Sequence, residues 1–202
     1  MKYDFKRLDP FHAVRELRNR QIFVFSPAIF GKLFGAKRER VKYFLERYAK
    51  TGLFIRLKKG LYACADNLPS DEELANLLYR PSYISFDYAL AHYNIIPESV
   101  YSVTSATTKP TRDFFVGEKA FSYHAIKKKA FTGYGPQRKE GRVVLMAEPE
   151  KALADFLYFV ALGKRQMNDR IDISGLDRKK IRSYIQLFRR DKLEKILKEL
   201  KL

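Results

Sequence analysis

The feature that most constrains this 202-residue chain is a change of hydrophobic period between residues 38 and 63. From Arg38 to Lys50, Val41, Phe44, Leu45 and Tyr48 fall at i, i+3, i+4 and i+7, the apolar stripe of an amphipathic helix. Arg38, Arg40, Lys42, Tyr43, Arg47 and Lys50 are left for its other faces, and Thr51-Gly52 ends it. Leu53, Ile55 and Leu57 then alternate with Phe54, Arg56 and Lys58, which is strand spacing. Lys59-Gly60 turns the chain, and Leu61-Tyr62-Ala63 returns as a second strand. A helix cannot adopt the second pattern, nor a strand the first, so a basic helix followed by a cationic hairpin is expected.

Two helix starts precede this switch. Asp9 with Pro10 supplies an N-cap acceptor and a proline at the first helical position, and Phe11, Val14 and Leu17 or Arg18 follow at helical steps. Ser26-Pro27 repeats the signal before Ile29, Phe30, Leu33 and Phe34, with Gly35 suited to a left-handed C-terminus. Helix, helix, basic helix and cationic ribbon are the order of a winged helix-turn-helix, expected over residues 1–65. Charge points the same way. The chain holds 40 Lys and Arg against 23 Asp and Glu, a net +17, and residues 1–65 hold 16 against 5. A third of the chain thus carries about two-thirds of the excess, which suits a polyanionic partner. Double-stranded DNA fits best: its major groove admits one helix whose Arg, Lys and polar side chains reach base edges, while flanking phosphates attract the helix ends and wing. The expected contacts are Arg38, Arg40, Lys42, Tyr43 and Arg47 on the helix, with Arg56, Lys58 and Lys59 on the wing. The alternative is an ordinary solvated basic face.

The polar stretch Asp66-Asn67-Leu68-Pro69-Ser70 reads as a boundary. Beyond it, residues 70–202 read as a mixed α/β domain, making the whole chain α/β in the α+β sense. Ser70 with Glu73 has the spacing of a capping box. A short helix is expected at 85–93, and strands at 100–108, 114–116, 121–126 and 142–146. Gly133-Tyr134-Gly135-Pro136 reads as a turn. An apolar helix follows Glu148-Pro149, where Glu150 and Lys151 are expected to serve the helix start. Two amphipathic helices, 177–188 and 191–200, close the chain and are expected to pack on their own domain.

Several of these segments, in order, resemble the AbiEi-type antitoxin and transcriptional regulator family. They are the wing return Lys59-Gly60-Leu61-Tyr62, Pro81-Ser82-Tyr83-Ile84-Ser85 before a small-residue helix, Ile96-Pro97-Glu98, Val103 to Lys109, Arg112, and Pro149-Glu150-Lys151-Ala152-Leu153-Ala154-Asp155. The resemblance covers roughly residues 20–165. It implies a winged helix followed by an α/β antitoxin domain. It also implies repression of the chain's own operon, and opposition to a separately encoded nucleotidyltransferase toxin of the AbiEii type in a type IV toxin–antitoxin system. In that family protection is ascribed to the second domain, without a well-defined stable complex. Regulators without a toxin neighbour also occur, so a stand-alone winged-helix regulator, or a basic nucleic-acid or protein interaction module, stays open.

An enzyme is not expected. His12, His92 and His124 are scattered, and neither a metal-ligand spacing nor a glycine-rich phosphate loop is present. With a single cysteine, Cys64, neither a structural zinc nor an internal disulfide is expected. No metal and no cofactor are therefore anticipated. The strongest catalytic candidate is the hydroxyl-rich run from Thr104 to Arg112 with Lys109, joined by His124 and Glu150. Its plainer reading has the hydroxyls lining a strand and Arg112 paired with a carboxylate such as Asp87. Thr107, Lys109 and Arg112, with the Lys127-Lys128-Lys129 run, remain a candidate binding patch of the second domain. No apolar run reaches the roughly 20 residues of a membrane span, and the first residues lack a signal-peptide core. A cytoplasmic protein, monomeric or weakly dimeric and cooperative on DNA, is expected.

Overall fold

The computed structural model describes residues 8–139 and 142–200; the first seven residues of the expected 1–65 domain, and residues 140, 141, 201 and 202 of the expected 70–202 domain, lie outside the described residues. The chain divides after Ser70 into two compact units, each with helices and its own sheet, a mixed α/β architecture.

The first unit opens with α1 (Pro10–Asn19), where the Asp9 carboxylate accepts from the His12 amide at 2.7 Å and Pro10 occupies the first turn. α1 buries Ala13 and Leu17. Phe11, expected on that apolar face, is 78% exposed, because it lies six residues before Leu17 and so around the helix from it. β1 (Val24–Phe25) leads to α2 (Pro27–Phe34), capped by the Ser26 hydroxyl, which accepts from the Ile29 amide at 3.2 Å. α2 buries Phe30 and Phe34 and leaves Ile29 half-exposed. α3 (Arg38–Lys50) buries Val41, Phe44 and Leu45, with Tyr48 at the margin of the core. β2 (Phe54–Lys58) and β3 (Leu61–Cys64) pair antiparallel, and β1 adds to β3 on the far side, giving the order β1-β3-β2. The third strand went unread in the sequence because two residues cannot display a period.

Burial along β2 departs from strict alternation: Phe54 and Leu57, three apart, are both buried. The register slips between Arg56, opposite Tyr62, and Lys58, opposite Leu61, so Leu57 is the extra residue of a bulge. The unit's core is aromatic. The Phe30 ring lies 5.5 Å from Phe25, 4.5 Å from Phe34 and 5.5 Å from Phe44, centroid to centroid. Each such ring withdrawn from water contributes about 1.5–3 kcal/mol, and their tilted packing fixes α3 against α2. Cys64 is a buried wall of this core; burial and the nearby Asp66 carboxylate push its thiol up to about 11, so it stays protonated at neutral pH.

The second unit is built on a six-stranded mixed sheet ordered β6-β7-β5-β4-β9-β8. In chain order its elements are α4 (Asp71–Leu78), β4 (Ser82–Ile84), α5 (Phe86–His92), β5 (Val103–Thr107), β6 (Arg112–Val116), β7 (Lys119–Ala125), β8 (Tyr134–Lys139), β9 (Arg142–Ala147), α6 (Pro149–Ala161), α7 (Arg178–Gln186) and α8 (Asp191–Glu199). β4–β9 and β5–β7 are parallel; β4–β5, β6–β7 and β8–β9 are antiparallel. Tyr83 pairs with Ala106 and Ala106 with His124, so these share a face, while Tyr123 points to the other. The Tyr83 hydroxyl reaches Asp155 of α6, and the Tyr123 hydroxyl reaches the Ala75 carbonyl of α4. α4 and α6 therefore cover opposite faces of the sheet.

The Gly133–Pro136 stretch, expected as a turn, instead opens β8, with Tyr134 opposite Ala147 and Pro136 opposite Leu145. Proline is tolerated there because β8 is an edge strand with one side unpaired. α6 is buried along nearly its whole length, and α7 and α8 pack against it, burying Ile181, Ile185, Leu193, Ile196 and Leu197. Tyr184 of α7 donates to the Glu148 carboxylate at 3.0 Å and lays its ring against Gly133. No helix among the described residues is long and apolar enough to cross a membrane.

Candidate nucleic-acid interface

On α3 the core stripe fixes, by helix geometry, what the opposite side presents. Stepping by four, three and four residues from Glu39 gives Tyr43, Glu46 and Lys50, a line directed away from Val41, Phe44 and Leu45. All four are exposed, Tyr43 by 67%. Arg40 and Arg47 lie along one flank of this line and Lys42 along the other, all exposed. A concavity of about 750 Å³ lies between the carboxyl-terminal half of α3 and the hairpin. Tyr43, Glu46, Arg47, Lys50, Arg56 and Tyr62 line it. Arg47 is braced there, its guanidinium 5.6 Å from the Tyr48 ring centroid.

Of the residues expected to contact DNA, the structure brings Tyr43, Arg47 and Arg56 into this one concavity. Arg38, Lys42 and Lys59 are exposed outside its lining, and Lys58 is half-buried at the hairpin tip. Arg40 is exposed but borders a separate small recess with Asp9, His12 and Phe34, facing the start of α1. Glu46, Lys50 and Tyr62 were absent from the expected contacts. Helical spacing from Tyr43 locates the first two; Tyr62 is placed by its pairing with Arg56 across the hairpin, which needs the register.

In the second unit the Thr104 and Thr107 hydroxyls of the candidate catalytic run are spent on structure, while the Ser105 hydroxyl is buried without a hydrogen-bond partner among the described residues. Thr104 donates to the Ser85 carbonyl at 2.6 Å and accepts from the Tyr88 amide, and Thr107 donates to the Pro81 carbonyl at 2.7 Å and accepts from the Lys109 amide. The pairing of Arg112 with Asp87 does not occur: Asp87 forms its ion pair with Arg165. Arg112 is instead exposed beside Phe114, with Lys109 over the Tyr79 ring at 5.4 Å. Two cations resting on ring faces keep their hydrogen-bond donors turned to solvent. His124 and Glu150 do not join them. His124 contacts Arg165 at 3.1 Å between Phe86 and Phe159, whereas Glu150 accepts from the Asp177 amide. Lys127 departs from its lysine run to donate to the Phe188 carbonyl at 2.5 Å; Lys128 and Lys129 are exposed.

Lys151 is also placed otherwise than expected. It is fully buried and ion-paired to Asp155, one turn along α6, rather than serving the helix start. The Tyr83 and Ser85 hydroxyls donate to the second oxygen of Asp155 at 2.9 and 2.7 Å. Burial holds the Asp155 carboxyl above its usual range and Lys151 below its own, while their mutual attraction opposes both shifts. Every polar atom of this knot is committed to another member, which makes it a device for aligning β4, α5 and α6 rather than a reactive centre.

Among the described residues no cluster of three His, Cys, Asp or Glu side chains has the placement of a metal site. No protein-family model and no curated protein matches the chain.

Proposed function

We propose that the first unit is a winged helix-turn-helix that binds duplex DNA, with α3 as the reading helix and the β2–β3 hairpin as the wing, and that the protein represses transcription at its own operator. The observation that carries this reading is the exposed face of α3 joined to the cationic concavity against the hairpin. A helix about 10 Å across fits the major groove, Arg47 and Lys42 fall where the two bordering phosphate strands run, and Arg56, Lys58 and Lys59 extend the positive surface along the ribbon. The charge excess of residues 1–65 supplies the sequence-independent part of the affinity.

The resemblance to AbiEi-type antitoxins extends the proposal to the second unit: it opposes a nucleotidyltransferase toxin encoded beside it. The exposed Lys109 and Arg112, supported on Tyr79 and Phe114, are the surface this role would use.

Fluorescence anisotropy with three labelled probes tests the DNA half: the duplex upstream of the gene, an unrelated duplex and an RNA of equal length. The upstream duplex is expected to bind about a thousandfold or more tighter than the unrelated one at physiological salt. Equal affinity for all three makes the protein a non-specific basic module instead. Co-expression with the product of the adjacent reading frame tests the other half. Relief of growth arrest is expected, and a neighbour with no nucleotidyltransferase sequence removes the antitoxin role.

A further inference from the structure

The outward line of α3 carries an anomaly for a surface that meets a polyanion. Two of its four members are acids. Glu39 has a local reason to be there, since it sits in the first turn of the helix, where the backbone dipole favours a negative charge. Glu46 has none. It lies one turn from the carboxyl end, where the dipole disfavours an acid, and it is the single acid among the residues lining the concavity with Arg47, Lys50 and Arg56. Lys42 and Lys50 stand one turn to either side, yet among the described residues Glu46 forms neither an ion pair nor a hydrogen bond with them. A carboxylate so placed repels phosphates and lowers non-specific affinity. Against a duplex it gains where a base offers it a hydrogen-bond donor.

The major groove offers two kinds of donor, the exocyclic amino groups of cytosine and of adenine. Adenine places its N7 acceptor beside the amino group, where it opposes the second carboxylate oxygen. Guanine and thymine present only acceptors or a methyl group at that edge. Cytosine presents its amino group with no acceptor of its own beside it.

We propose that Glu46 is the base-discriminating residue of this face and accepts a hydrogen bond from the N4 amino group of a cytosine in the operator. The proposal rests on the duplex-reading role given to α3 above, and it goes beyond that role by naming the base and the residue that selects it. Arg47 and Lys42, on the two flanks of the line, then hold the phosphates on each side, so the carboxylate is pressed against the base edges rather than expelled.

The test is selection from a randomised duplex pool at fixed salt with the full-length protein, its E46A and its E46Q, each checked for an unchanged melting temperature. The wild-type protein is expected to select cytosine at one position of each site, by about five- to a hundredfold over the other bases. E46A is expected to lose selection at that position alone and to bind unrelated duplex more tightly. E46Q is expected to move the preference toward adenine, which an amide meets with one donor and one acceptor. If the wild-type protein selects a sequence and both variants select the same one, with cytosine undiminished at every position, the assignment to Glu46 is wrong while DNA reading by α3 stands. If the wild-type protein selects nothing, the reading role falls and this assignment falls with it.

Discussion

Lys151 shows how far one residue's setting can depart from its place in a pattern. It follows Pro149-Glu150, where a helix start was the natural reading, yet its ammonium group lies in the interior against Asp155, under Tyr83 and Phe188. Removing one partner strands the other. Asp155→Ala is expected to cost about 3–5 kcal/mol in urea denaturation, because it leaves a buried cation and two hydroxyls without their acceptor. The double change Lys151→Met with Asp155→Leu is expected to cost clearly less than Asp155→Ala alone. A double variant as unstable as the single one would mean the knot is held by more than this charge pair.

His124 gives the second prediction at this scale. Burial, with Lys164 adding to it, holds the imidazole below its ordinary 6.5, against the opposing pull of Asp113. Among the described residues its side-chain partner at hydrogen-bond distance is the Arg165 guanidinium, which can only donate, so the ring nitrogen accepts and the ring is neutral. The folded-state pKa is the depressed one. The unfolded chain therefore takes up a proton first as the pH falls through 6.5, and the stability contributed by neutral His124 is present above that value and lost below it. Unfolding free energies at pH 7.5 and 5.5 should differ in this sense, and His124→Gln should shrink the difference.

Among the elements, the β2–β3 hairpin carries exposed Arg56 and Lys59 with half-buried Lys58 at its tip. Reversing Lys58 and Lys59 together to Glu is expected to weaken operator binding and to flatten its dependence on salt, with each lost phosphate contact reducing the slope by about one. An unchanged slope in anisotropy titrations would take the hairpin out of the interface. α1 and α2 were legible in the sequence because a cap and apolar spacing agree after Asp9 and Ser26, and α3, which starts after Lys37 without a side-chain cap, because of the regular spacing of Val41, Phe44 and Leu45. The strands were less so. The faces of β2 turned on a one-residue bulge at Leu57, which only pairing with β3 creates. β4 spans three residues, and its membership in the sheet comes from long-range partners at Ser105 and Met146. β8 carries Gly135 and Pro136, residues that break a strand everywhere except at an edge, and edges are a property of the assembled sheet.

At the scale of the molecule, charge and chemistry are divided between the two units. The first holds the greater part of the net charge beside an aromatic core; the second holds a large sheet in which the Tyr83, Ser85, Thr104 and Thr107 hydroxyls and the Lys151–Asp155 pair are bound up in the architecture. The uneven charge was readable from composition alone; the buried pair was not, since Lys151 reads in the sequence as serving the helix start. The alignment of the exposed α3 face was partly readable, since Arg47 and Tyr43 follow from the helix period, whereas the concavity with Arg56 and Tyr62 required the return of β3. The division leads to a last prediction. Lys109→Ala combined with Arg112→Ala is expected to leave operator affinity within about twofold, as expected of sites that share no partners, while reducing protection in the toxin co-expression assay. A parallel loss of operator affinity would place this patch on the DNA as well.

The contact between Gly133 and Tyr184 carries a consequence for how this chain tolerates change. Gly133 has a φ of 70°, and a methyl group there would come within 2.6 Å of the tyrosine ring. Any larger residue would both strain that backbone and push the Tyr184 ring from its place beside Glu148, so one substitution at the mouth of an edge strand would be felt by a side chain some fifty positions further along. A site with no charge and no chemistry of its own thereby governs where a distant aromatic ring can lie.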